Sequence, residues 1–195
     1  MDEIFLKNKH CGQLIVAVCL DGNNQIYPLA FGVVDRETDD SIQWFLEKLK
    51  GAIGEVLNLG FVIDRKTCFS KGISVVFPSA FHSLRVQHLT QNLHVKYKND
   101  TVATLFYNAS RTYRESTFLK VWRHLLAFPN GSGKYLYDVG IARWSRVHFP
   151  GRRYNMMITN IAESTNSILK ETGDLPISSF LEHVRALLQR WFWKR

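Results

Sequence analysis

Cysteine is scarce: Cys11, Cys19 and Cys68 form an odd set with no Cys-x-x-Cys pair. That pattern argues against a disulfide framework and a zinc ribbon, and fits reduced thiols in an intracellular compartment. Long apolar runs are also missing, the longest being the seven residues from Leu14 to Leu20. Neither that run nor the acidic start Met1-Asp2-Glu3 has the length or flanks of a transmembrane span or a signal peptide. A soluble, non-secreted protein with no membrane partner is expected. The chain has no internal repeat and no low-complexity tract. What it has is 195 residues with 46% hydrophobic and 13% aromatic content. That suffices for the core of one domain, or one domain with an insertion, and excludes intrinsic disorder.

Charge is distributed unevenly. The chain carries 25 basic and 17 acidic residues for a net +8, yet residues 1–110 hold 11 of each sign. Residues 111–195 hold 14 basic and 6 acidic residues, so the whole surplus lies in the second half, as a surface facing a polyanion requires. Nucleic acid is the partner this suggests, against the alternative of a merely basic soluble surface.

The pattern along the chain predicts a hairpin of Gly12 to Leu20 and Ile26 to Val34 around Asp21-Gly22-Asn23-Asn24. Pro28 cannot donate to a ladder, which places its strand at an edge. Ile42, Phe45, Leu46, Leu49 and Ile53 recur at helical spacing behind Asp39-Asp40-Ser41. A strand at Phe61-Val62-Ile63, a helix ending before Pro78 and a strand from Phe81 to Val86 follow, which predicts a mixed α/β sheet with parallel crossovers. From about Leu89 to Phe149 the pattern turns helical, broken at Pro129-Asn130-Gly131-Ser132-Gly133. Two late helices are expected, one opened by Thr159-Asn160 and one from Ser178-Ser179 with the apolar face Phe180, Leu181, Val184, Leu187, Leu188 and Trp191.

Three carboxylates are candidates for chemistry. Asp64 closes a predicted parallel strand, where open α/β sheets place ligands. Asp2 heads the segment before the hairpin, and Glu163 opens a late helix. Together they could hold divalent cations for phosphoryl transfer. Each has a plainer reading: Glu163 with Asn160 as a capping box, Asp64 as a turn acid, Asp2 as a solvated terminal residue. His88 and His94 lack helical ligand spacing and read as partners of backbone or solvent. Trp122, Trp144, Trp191 and Trp193 read mostly as core anchors.

Asp2-Glu3-Ile4-Phe5-Leu6-Lys7-Asn8-Lys9 resembles the opening of the transposase domain of plant Mutator-like elements. The hairpin segment from Asp21 to Phe31, Trp44-Phe45-Leu46, Asp64-Arg65, His88-Leu89 with Gln91-Asn92-Leu93, and Tyr97-Lys98-Asn99 are similar to that family's signatures. So are Phe149-Pro150-Gly151, Arg153-Tyr154-Asn155, Thr159-Asn160-Ile161-Ala162-Glu163-Ser164 and Arg190-Trp191-Phe192. The resemblance implies an RNase H-like α/β fold: a mixed sheet with helices, core residues 1–99, an all-helical insertion over 100–149, and helices over 150–195 completing the core. It implies a DNA strand-cleaving and strand-transferring transposase, with Asp2, Asp64 and Glu163 as a catalytic triad holding two Mg²⁺ or Mn²⁺ ions. His88 and Asn160 fall in further motifs of the family.

Double-stranded DNA at element ends and target is then the expected partner, with self-association left open and the nucleus as the compartment. Arg111, Arg114, Lys120, Arg123, Arg143, Arg146, Arg152 and Arg153 are the expected DNA contacts. The chain departs from the family's pattern in places. Glu3 and Ile4 replace a glycine and a threonine, Asn8 replaces a second glycine, and Arg85 stands where a cysteine is common, three residues before His88. Almost nothing precedes Asp2, so the first strand is expected to be truncated, and the family's terminal DNA-binding and zinc-knuckle regions are expected to be absent. The expectation is a domain-sized transposase piece with impaired catalysis, the alternatives being a non-catalytic DNA-binding or regulatory derivative and a decayed relic.

Overall fold

The computed structural model describes residues 2–5, 12–20, 23, 25–64, 66–150 and 175–193. The chain divides into two compact units, Met1–Ala52 with Asn160–Arg195, and Ile53–Thr159.

In the first unit β1 (Asp2–Phe5), β2 (Gln13–Leu20) and β3 (Ile26–Val34) form an antiparallel sheet in that order. Leu14, Ile15, Val16 and Ala17 of the central strand are all buried, so β2 reads as a continuous apolar run because both of its faces are covered. On one face Leu14 and Val16 pack with Phe180, Val184 and Leu187 of the last helix, α8 (Ile177–Trp193). The opposite face carries Gly32, paired with Ile15. A Cβ on Gly32 would come within 2.6 Å of the Phe45 ring, so glycine is what lets α1 (Asp39–Ile53) approach β3. The edge position expected from Pro28 holds. The register also jumps there, from Ala17↔Ala30 to Val18↔Pro28, a bulge that accommodates the missing donor.

The first helix begins at Asp39, within the Asp39-Asp40-Ser41 start read from the sequence, and the Thr38 side chain caps it: Thr38 Oγ1 accepts from the Ser41 N–H at 3.1 Å. Leu181, expected on the apolar face of α8, is half exposed, since the buried stripe Phe180, Val184 and Leu187 follows i, i+4, i+7 and leaves it to one side. The helix expected from Thr159-Asn160 lies outside the described residues.

The second unit starts with a parallel β-α-β: β4 (Gly60–Ile63), α2 (Thr67–Val76) and β5 (Phe81–Leu84). Its register runs from Gly60↔Phe81 to Ile63↔Leu84. The strand ends at Leu84, two residues short of the expected Val86, because Val86 opens α3 (Val86–Tyr97) with Arg85 as its N-cap residue. Among the described residues the ladders make two sheets, one antiparallel and one parallel, rather than a single mixed sheet. Each ladder keeps one sense because the hairpin returns β3 on β2, whereas α2 carries the chain back to start β5 in the direction of β4.

Four more helices follow: α4 (Asp100–Arg111), α5 (Glu115–Leu126), α6 (Ser132–Val139) and α7 (Ile141–Trp144). The Tyr97-Lys98-Asn99 segment makes the α3/α4 turn. Lys98 adopts φ 48°, and Asn99 Oδ1 accepts from the Thr101 and Val102 N–H groups at 2.9 and 3.2 Å. Phe106, Phe118, Trp122 and Trp144 build an aromatic core, with Trp144 fully buried and its indole donating to the Leu136 carbonyl at 3.0 Å. The same core includes Leu84, Val86, Leu89 and Leu93, so the helices are fused to the end of β5 and to α3.

Candidate functional site

The parallel register decides what lies at the carboxyl end of the β4/β5 pair. Ile63 is opposite Leu84, so the residues that follow them, Asp64 and Arg85, emerge side by side, and the Arg85 N–H continues the ladder to the Ile63 carbonyl at 3.1 Å. Arg85 Nη1 lies 3.2 Å from Asp64 Oδ1 and donates to Oδ2 at 3.3 Å. His88, in the first turn of α3, brings Nδ1 to 3.2 Å from the same Oδ1. Arg85 is 2% exposed and Asp64 20%. Asp64 Oδ1 is sealed from solvent and lies 3.2 Å from both nitrogens without an aligned hydrogen bond, and Arg85 places a guanidinium charge beside it. A guanidinium removed from water needs a counter-charge, and Asp64 supplies one.

Asp64 therefore lies where the sequence placed it, at a strand end. Asp2 lies on β1, opposite Val16, in the other unit. Glu163, Asn160, Arg152 and Arg153 lie outside the described residues. A divalent metal does not fit the described surroundings of Asp64. Mg²⁺ requires oxygen ligands at about 2.0–2.1 Å in octahedral array, whereas Arg85 Nη1 stands nearly equidistant from the two carboxylate oxygens. Two unit charges 4 Å apart repel by about 4 kcal/mol at an effective dielectric of 20, and a divalent ion beside this guanidinium would feel twice that. No group of three or more His, Cys, Asp or Glu among the described residues could hold a metal ion.

The described basic residues expected at DNA fall into three sets. Arg111 and Arg114 flank the α4/α5 connection, and the Arg146 N–H donates to the Ser110 carbonyl at 3.0 Å, which brings residue 146 to the same corner. There the Arg146 guanidinium stacks 3.6 Å from the ring centroid of the exposed Tyr113, and Arg111 donates to the Tyr107 hydroxyl. Lys120 and Arg123 are exposed on α5, opposite its buried Phe118, Trp122 and Leu125. Arg143 is placed differently, beside β5. Burial first, and then the Arg143 charge, push the His82 imidazole below its usual range.

Sequence reasoning noted Arg85 only as a departure and missed both its pairing with Asp64 and the tyrosine partners of Arg111 and Arg146. The first depends on β5 ending at Leu84, in step with Ile63, whereas the sequence pattern runs the strand on to Val86. Trp122 and Trp144 are core anchors as expected, whereas Trp193 is 91% exposed, on the last turn of α8.

Residues 1–92 match the family model of the MULE transposase domain. The matched stretch takes in the five strands found among the described residues, and Asp64, Arg85 and His88. No protein of curated function matches the chain. Among the described residues no helix is long and apolar enough to cross a membrane.

Proposed function

We propose that this chain is a fragment of a plant Mutator-like transposase core, RNase H-like in descent, that binds double-stranded DNA and is impaired in strand cleavage. The observation that carries this reading is the match to the MULE transposase domain over residues 1–92. The basic surplus of residues 111–195 supports it independently. In this reading Asp2, Asp64 and Glu163 are the inherited triad positions, inherited with Mg²⁺ or Mn²⁺ chemistry. What this chain's own residues do is bind DNA: Arg111, Arg114, Lys120, Arg123 and Arg146 contact phosphates, with Tyr107 and Tyr113 restraining two of the guanidiniums. Arg152 and Arg153 are further phosphate contacts in this reading, a second copy of the chain is a candidate partner at paired element ends, and the nucleus is the compartment such a substrate requires.

The test is duplex binding as a function of salt. Backbone contacts release counterions, so log affinity should fall linearly with log salt at a slope of about −0.9 per phosphate contact. Binding that is insensitive to salt between about 50 and 200 mM would remove the DNA reading.

A further inference from the structure

We propose that Arg85 occupies, as a resident cation, the role a divalent metal would have at Asp64, so that Asp64 works as a strand-end tie and not as a metal ligand. The proposal concerns the same site as the transposase reading and rests on it for the comparison with a metal-holding aspartate. The ion pair itself stands on geometry alone.

Three observations converge. The parallel register makes the juxtaposition of Asp64 and Arg85 a property of the backbone: Ile63↔Leu84 is the last ladder pair, and the next N–H bond, Arg85 to Ile63, holds the following residues side by side. The guanidinium sits 3.2 and 3.3 Å from the two carboxylate oxygens, across the approach by which a cation would bridge them, and at 2% exposure it cannot swing aside into water. His88 Nδ1 lies 3.2 Å from the same Oδ1. A carboxylate that accepts metal ions needs a face left open by cations. The described surroundings of Asp64 put two nitrogens, Arg85 Nη1 and His88 Nδ1, at 3.2 Å from Oδ1. The buried Arg85 is equally unsuited to reach a DNA phosphate, which would require it to leave Asp64 and gain exposure.

The two roles predict opposite responses to neutralising Asp64. A carboxylate kept for a metal is repelled by its fellow ligands when no metal is bound, so Asp64→Asn would leave the apo chain equally or more stable. Neutralising a carboxylate paired to a buried guanidinium takes away a counter-charge that burial makes costly to lose.

The experiment uses the full chain. With EDTA, Asp64→Asn is expected to lower Tm by roughly 5 °C or more. The double variant Asp64→Asn/Arg85→Gln, in which both charges are gone, is expected to recover at least half of that loss. Mn²⁺ titrated into the unaltered chain is expected to keep its full free-ion electron paramagnetic resonance signal and to leave Tm within about a degree. This reading needs no variant to fold. An unchanged or raised Tm for Asp64→Asn, no recovery in the double variant, or Mn²⁺ uptake that Asp64→Asn abolishes would each overturn the proposal. Salt-sensitive duplex binding by the unaltered chain tests the transposase reading separately, so failure of one is distinguishable from failure of the other.

Discussion

The carboxyl end of the β4/β5 pair and the outer surface of the helices after it both rely on arginine, in opposite ways. At the strand ends the cation is inside, 2% exposed, and matched by Asp64. On the helices Arg114, Lys120 and Arg123 are exposed, and Arg111 and Arg146 rest on tyrosine rings. Residues 100–149 carry seven basic and three acidic side chains, so most of this charge has no acidic counterpart on the same segment. An internal match makes a charge structural, because removing either partner costs more than the pair contributes. An outward surplus remains available to a polyanion, at a repulsion that salt screens. One fused unit can thus retain binding while its carboxylate is withdrawn from chemistry.

The contrast breaks most completely if the platform under both regions is removed. Trp144→Ala deletes the fully buried indole that packs on Phe106, Phe118 and Trp122, and leaves the Leu136 carbonyl without its donor. A loss of about 3–5 kcal/mol is expected in denaturant melts, with DNA binding lost alongside. A variant that keeps wild-type stability would show that the aromatic cluster is not the core it looks to be.

A narrower change acts on one side of the comparison only. Replacing Arg111, Arg114 and Arg146 together by Gln is expected to weaken duplex binding at least tenfold at low salt and flatten the log–log salt dependence by about two to three. Stability should move little, since each is a surface change within about 0.5 kcal/mol. Unchanged binding would transfer the contact surface to other residues. Weakened binding with a much lower melting point would mean that these arginines, like Arg85, are structural.

How far the sequence revealed these two regions depends on the range of the interactions. The hairpin, the edge position of Pro28 and the buried face of α1 were legible because they follow from local periodicity and from one missing donor. The end of β5 was misjudged because Val86 is β-branched and apolar and reads as strand, although it begins a helix. Thr38 was passed over in favour of the more conspicuous acids Asp39 and Asp40, which support the helix through its dipole while the threonine caps it. Asp64 could be singled out from its strand-end position. Its partner could not, because the contact joins residues 21 positions apart and depends on the strands ending in register. The corner of Arg111 and Arg146 was hidden for the same reason: a single backbone hydrogen bond from residue 146 to residue 110 creates it.

The smallest expected effect lies between the two regions, at His82 on β5. Burial and the neighbouring Arg143 disfavour its protonated form in the folded chain, so its folded pKa is below the unfolded one. The unfolded chain then binds more protons in that window. The stabilising contribution is fully present above about pH 6.5 and is lost as pH falls through the folded value. His82→Asn is expected to flatten the decline of Tm between about pH 7 and pH 5. An equally steep decline in the variant would assign the acid sensitivity to other groups.

If DNA binding persists while Arg85 holds Asp64, binding and strand cleavage come apart, and nicking of element-end duplex in Mn²⁺ reads both at once. Under low-salt conditions where gel shifts show the DNA bound, the unaltered chain is predicted to leave every strand intact. Metal-dependent nicking that Asp64→Ala abolishes would return Asp64 to catalysis and refute its role as a tie to Arg85.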